Sequence, residues 1–177
     1  MHPEGDEKNR FSPAQRELVH RAVYEAEGHT ARYYCFPPHR WQDLRFDVLT
    51  GQDREWEPFP EPILAKLQRL QKLGHRPQSS YDFFRIQLND PGILTVARRK
   101  ELGVGLYPLL VYILTHELVH LVRVSSILDE NGATGGSVEA EEYRVDRISS
   151  QILSAAPYLR IDPVISRFTL RHCAATE

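Results

Sequence analysis

The chain has 177 residues, long enough for one domain with a buried core. Hydrophobic residues at 41% and charged residues at 26% are ordinary globular proportions, and a net charge of −2 offers no electrostatic attraction for nucleic acid or an anionic membrane. Two cysteines, Cys35 and Cys173, in a chain that opens on polar and charged residues, lead to the expectation of free thiols in a cytoplasmic setting.

Residues 1–10 read as a disordered N-terminus and residues 11–177 as a single domain. Ser12-Pro13-Ala14-Gln15 is a helix start: Ser12 caps, Pro13 takes the first helical position and Gln15 closes a capping box. Leu18, Val19, Ala22, Val23 and Ala26 then recur at helical spacing, and Gly28 is a candidate stop. Arg32–Phe36 is aromatic and reads as a short strand ended by Pro37-Pro38, with Cys35 expected in the core. Leu44, Phe46 and Val48 alternate with polar residues, predicting a strand over Leu44–Thr50.

Residues 51–62 read as a surface loop. Ile63–Leu73 reads as a short amphipathic helix, with Ile63, Leu64, Leu67, Leu70 and Leu73 on its apolar side. Tyr81–Leu88 and Ile93–Ala97 read as paired strands joined by the turn residues Asn89-Asp90-Pro91-Gly92. A long helix is predicted from about Leu106 to Ser125, a loop from Asp129 to Gly136, and a helix capped by Ser137 over Val138–Ala155. Its apolar stripe is Val138, Val145, Ile148 and Ile152. The tail carries Ile161, Val164, Ile165, Phe168 and Leu170, enough for one further short element. The fold class expected is α+β: a small antiparallel sheet packed on the two long helices.

Leu106–Val124 is apolar enough to suggest a membrane span. Yet His116, Glu117 and His120 share one helical turn within it, which is costly in lipid. A helix buried inside a soluble domain accounts for the same composition.

That helix carries His116-Glu117-Leu118-Val119-His120, the pattern H-E-x-x-H. The spacing sets both imidazoles one turn apart on one face, within reach of one metal ion, with Glu117 about 100° around the helix. The alternative reading, a polar stripe whose Glu117 and His120 pair with arginines, leaves buried polar groups to satisfy. A catalytic zinc takes three protein ligands. The extension H-E-x-x-H-x-x-G-x-x-H is closed here, because Arg123 and Ser126 stand at the required Gly and His. The next helix offers Glu139, Glu141 and Glu142. On a helical wheel Glu141 and Glu142 border the apolar stripe, and Glu142 has Asp146 one turn on. An Asp so placed can accept from a ligand imidazole. Glu142 is therefore the preferred third ligand with Asp146 as its support, and Glu141 and then Glu139 remain alternatives. Arg123 either neutralises a site carboxylate or reaches solvent. His20, His29, His39 and His75 read as surface histidines.

H-E-L-V-H followed by Glu142-x-x-x-Asp146 resembles the gluzincin branch of the zincin metallopeptidases. The resemblance covers two helices and the preceding hairpin. It implies a zincin-like minimal domain, Zn2+ held by His116, His120 and Glu142, and Glu117 as general base. It also implies a peptide or protein substrate, added as a strand to the edge of the hairpin Tyr81–Ala97. Tyr143, Arg144, Tyr158 and His172 are candidate donors to the oxyanion. Two other readings stay open: a zinc-binding protein or partner-binding module without peptidase activity, and a membrane-embedded metalloprotease.

Overall fold

The structure is a computed structural model that describes residues 9–37, 39–58, 63–73, 80–99, 103, 105–129, 137–163 and 165. Helix α1 spans Pro13–Tyr33 and opens on a capping box: Gln15 N donates to Ser12 Oγ at 3.3 Å and Ser12 N to Gln15 Oε1 at 2.8 Å. It does not stop at Gly28. A mid-helix glycine costs only about 1 kcal/mol, and the burial of Val19, Ala22, Ala26, His29 and Thr30 holds the helix together past it.

The strand expected over Arg32–Phe36 is therefore the last turn of α1 and the turn after it. Its aromatic residues stack on one another instead of pairing in a sheet. Tyr34, Phe36, Trp41 and Phe46 follow in sequence with ring centroids 5.3–6.1 Å apart. Cys35, expected in the core, is exposed, with φ of 52° in that turn. A four-residue helix, α2 (Arg40–Asp43), follows.

The sheet has the order β1-β3-β2. Strand β1 is Phe46–Leu49, β2 is Ala65–Leu73 and β3 is Ser80–Leu88. β1 runs parallel to β3 and β2 antiparallel to it, so the sheet is mixed, not purely antiparallel. Strand β2 occupies the segment expected to be helical over Ile63–Leu73. Its leucines fit helical spacing, but pairing along all of β2 with β3 overrides that local signal. Leu67 and Ala65 lie opposite Ile86 and Leu88, both fully buried.

The second half of the expected hairpin is also different. Asn89-Asp90-Pro91-Gly92 starts helix α3 (Asp90–Ala97), so Ile93–Ala97 is helical. Asn, Pro and Gly serve a helix start as well as a turn. Here Asn89 caps, accepting from Gly92 N at 3.1 Å, while its amide donates to Ile63 O at 2.8 Å. Among the described residues the antiparallel pair is β2–β3. The polar face of the sheet is covered by residues 50–58. Trp56 Nε1 donates to Leu88 O at 2.7 Å, Gln87 donates to Glu57 O, and Arg85 grips Asp47 and Glu55.

Helix α4 (Leu106–Asp129) is the centre of the molecule. Leu110, Val111, Val119 and Leu121 are wholly buried, and the helix packs on α1, α3, β2 and α5. Over Leu106–Ser126 it is long and apolar enough to cross a membrane by length and composition, and most of that stretch is covered by its neighbours. Helix α5 (Val138–Ser154) starts at Ser137, which accepts from Ala140 N at 3.2 Å, and buries Val145, Ile152 and Leu153 against α4. A single 3-10 turn, Pro157–Leu159, follows. The expected disordered stretch, apart from residues 9 and 10, lies outside the described residues, as do His75, residues 130–136, Cys173 and most of the tail element. Among the described residues the fold is α+β, with five α-helices and one three-stranded mixed sheet.

Candidate metal centre

The i,i+4 spacing on α4 aims two imidazoles in one direction. His116 Nε2 and His120 Nε2 stand 3.1 Å apart. Helix α5 crosses there and brings in the carboxylate of Glu142, with Oε2 3.3 Å from His116 Nε2 and Oε1 3.2 Å from His120 Nε2. A zinc ion with ligand bonds of about 2.0–2.1 Å in tetrahedral geometry needs its ligand atoms about 3.3–3.4 Å from one another. The separations are of that size, each histidine meeting its own Glu142 oxygen, and the donors are two nitrogens and a carboxylate, a set zinc accepts. The residues fit the ion.

The orientation of the imidazoles is set from behind. His116 Nδ1 lies 2.9 Å from Asp146 Oδ1, which also accepts from the Tyr112 hydroxyl at 3.3 Å. Asp146 and Tyr112 are both buried. With Nδ1–H held by that carboxylate, the Nε2 lone pair of neutral His116 points at the cluster. Burial works to lower the His116 pKa, but the carboxylates of Asp146 and Glu142 outweigh it and push it up to about 10. The two imidazoles in turn hold Glu142 far below the usual carboxylate range, against its partial burial. His116 and Glu142 thus attract each other strongly before any ion is added, and a metal would displace the proton that His116 holds.

Glu117 is set about 100° around α4 from His116. It is buried, and burial raises its pKa, opposed by His116 and His120 and supported by the charge of Glu142. It lines the same cleft as His116, His120 and Glu142, a cavity of about 700 Å³ walled on the other side by residues 63–67. The wall is β2, an edge strand. In the β2–β3 register Asn89 N donates to Leu64 O, so the backbone groups of Leu64, Lys66 and Gln68 turn toward β3. Those of Ala65, Leu67 and Arg69 turn to the open edge. The edge expected at Tyr81–Ala97 is thus supplied by β2, whose neighbour β3 is interior.

Among the three acidic candidates on α5 the positions differ sharply. Glu139 is exposed and bonded to Ser137. Glu141 is taken by Arg123, which donates through Nε and Nη2 at 2.5 and 2.9 Å, and by Arg144 Nη1 at 3.2 Å. Glu142 alone of the three reaches both histidines. Of the candidate oxyanion donors, Arg144 is committed to Glu141, Tyr143 is exposed, and Tyr158 sits at α1, bonded to Glu25 at 2.6 Å and His29 at 3.0 Å. His172 lies outside the described residues. His29, expected at the surface, is buried in that second cluster.

Two polar cleft residues, Tyr112 and Lys66, stand out only once the elements are assembled. Tyr112 stands one turn before His116 on the same helical face, a spacing that is a usable signal once Asp146 is in view. Lys66 enters the cleft from β2 and carries no sequence signal at all, because only the strand assignment brings it there. Comparison with family models, with curated proteins and with solved structures found no match to this chain.

Proposed function

We propose that the protein is a zinc-dependent metallopeptidase of gluzincin type, acting on an extended segment of a peptide or protein. The observation that carries the reading is the cluster of His116 Nε2, His120 Nε2 and the Glu142 carboxylate at one cleft, the nitrogens 3.1 Å apart and each 3.2–3.3 Å from a carboxylate oxygen. A zinc ion there would supply a Lewis acid for the scissile carbonyl and make a water acidic enough to be deprotonated near neutral pH.

The rest of the chemistry belongs to the chain. Glu117 is buried beside the two histidines, and burial raises its proton affinity. A carboxylate so tuned takes a proton from water and later delivers it to the leaving amine. Asp146 holds His116 in one tautomer and one orientation through both steps. Strand β2 offers the outward amide and carbonyl groups of Ala65 and Leu67 along the cleft, so an extended substrate can pair there as an added strand. The covering of α4 by its neighbours favours a soluble peptidase over one embedded in a membrane.

The test is Glu117→Gln. The amide keeps the shape but cannot take the proton. Zinc binding should be retained, and cleavage of a fluorogenic peptide library should fall by roughly 10²–10⁴-fold. Unchanged cleavage would refute Glu117 as the base. Zinc binding with no cleavage by the wild type would leave a zinc-binding protein without peptidase activity.

A further inference from the structure

The candidate ligand Glu142 has a second carboxylate beside it, Glu141, and the two differ by about 100° around α5. Presenting Glu141 to the histidines instead would take a turn of α5 by about that angle, and a smaller turn already shifts the Glu142 carboxylate off them. Burial of Val145, Ile152 and Leu153 sets the coarse rotation of α5, and polar contacts to α4 set the finer one. Those polar contacts stand on both sides of Glu142. One turn on, Asp146 is bonded to His116 and Tyr112 of α4. One residue before, Glu141 receives both prongs of the Arg123 guanidinium, also from α4.

Arg123 lies one turn beyond the second histidine of the motif, on the helix that carries it. A guanidinium is planar and binds a carboxylate through two parallel bonds, so it sets the direction of its partner as well as its distance. The pair is partly shielded, with side-chain exposures of 21% and 29%, so its geometry is held better than that of a solvent-exposed ion pair.

We propose that Arg123 and Glu141 form a positioning clamp that selects Glu142, and not its neighbour, as the third metal ligand. The clamp has two effects. It locks the rotation of α5 on α4, so the Glu142 carboxylate meets both imidazoles without reorganisation. It also occupies Glu141, which would otherwise be a competing carboxylate beside a dication. Neither Arg123 nor Glu141 touches the ion or the substrate. The proposal rests on the zinc-site reading above.

The experiment measures zinc dissociation constants by competition with a chromophoric chelator, on the full chain. The variants are wild type, Arg123→Met, Glu141→Gln, Arg123→Lys and Glu142→Gln. Melting temperatures of the metal-free proteins are recorded beside them. Positioning by outer groups changes metal affinity by roughly 10–100-fold, and Arg123→Met and Glu141→Gln should each weaken zinc binding within that range. Arg123→Lys keeps the charge but loses the two-pronged geometry, and should fall between wild type and Arg123→Met. The metal-free melting temperatures of the near-isosteric Glu141→Gln and of Arg123→Lys should stay close to wild type, which separates positioning from general destabilisation. Zinc affinities of Arg123→Met and Glu141→Gln within twofold of wild type would overturn the clamp while Glu142→Gln still lost affinity. Wild type without zinc affinity would overturn the zinc-site reading, and the clamp with it.

Discussion

Asp146→Asn removes one charge from the interior without changing the shape of the side chain. The wild-type carboxylate oxygen Oδ1 accepts from His116 Nδ1 at 2.9 Å and from the Tyr112 hydroxyl at 3.3 Å, in surroundings that leave Asp146 almost no solvent contact. A hydrogen bond to a charged group contributes about 1.5–3 kcal/mol and one between neutral groups about 0.5–1.5 kcal/mol. The His116 bond, short and well placed, should therefore lose on the order of 1–1.5 kcal/mol of orienting energy. The Tyr112 bond is long for a hydroxyl donor and should lose less. In addition, an amide can turn its NH2 toward His116 and reverse the tautomer, aiming Nε2–H at the metal position. Together these effects correspond to a loss of zinc affinity of roughly 10–100-fold, or about 1.4–2.8 kcal/mol. Tyr112→Phe should cost less than tenfold, because it removes only the longer bond. The assay is a chelator competition at fixed pH and ionic strength, with circular dichroism to show that both variants are folded. A folded Asp146→Asn protein that binds zinc as tightly as wild type would refute the claim that this carboxylate orients His116. So would a larger effect from Tyr112→Phe than from Asp146→Asn.

Two further outcomes follow from the sheet and from α1. The Ala65 amide faces the open edge, so Ala65→Pro should fold yet cut cleavage of extended peptides at least tenfold. The Gln68 amide bonds to β3, so Gln68→Pro should cost on the order of 1–3 kcal/mol and lower the denaturant midpoint. Equal stability of the two variants would contradict the register. Glu25 is partly buried, which by itself raises its pKa, but hydrogen bonds from Tyr107 and Tyr158 and the proximity of His29 outweigh that and hold it below its ordinary value of 4.5. Its folded pKa is depressed, so its contribution is present above about pH 4.5 and is lost as pH falls through the folded value. The stability difference between wild type and Glu25→Gln should be level above pH 5 and shrink below 4.5. A difference that grows on acidification would reverse the sign.

The local parts of this protein were legible because they depend on neighbours in sequence. The capping box at Ser12, the span of α4, the cap at Ser137 and the i,i+4 placement of His116 and His120 all arise from backbone geometry within one or two turns. The same holds for Glu142 and Asp146 sharing one face of α5. Misread segments were those whose local signals serve two structures equally. Leucines at three-residue spacing over Ile63–Leu73 fit a helix until β3 pairs with them, and Asn89-Asp90-Pro91-Gly92 fits a turn until Asn89 finds Gly92 N and Ile63 O.

What the sequence determined by itself was the identity of the chemical groups, their order, and their facing on individual helices. Which of those groups meet was settled by the packing of one element on another. The crossing of α4 and α5 leaves Glu139 in solvent, gives Glu141 to Arg123 and brings Glu142 to the histidines. Sheet order decided that β2, not residues 93–97, forms the edge along the cleft, and so brought Lys66 and Leu67 to it. The reason is physical. Helical periodicity specifies a direction around an axis, but the rotation and register of one element on another are set by long-range packing and by ion pairs between residues far apart in the chain.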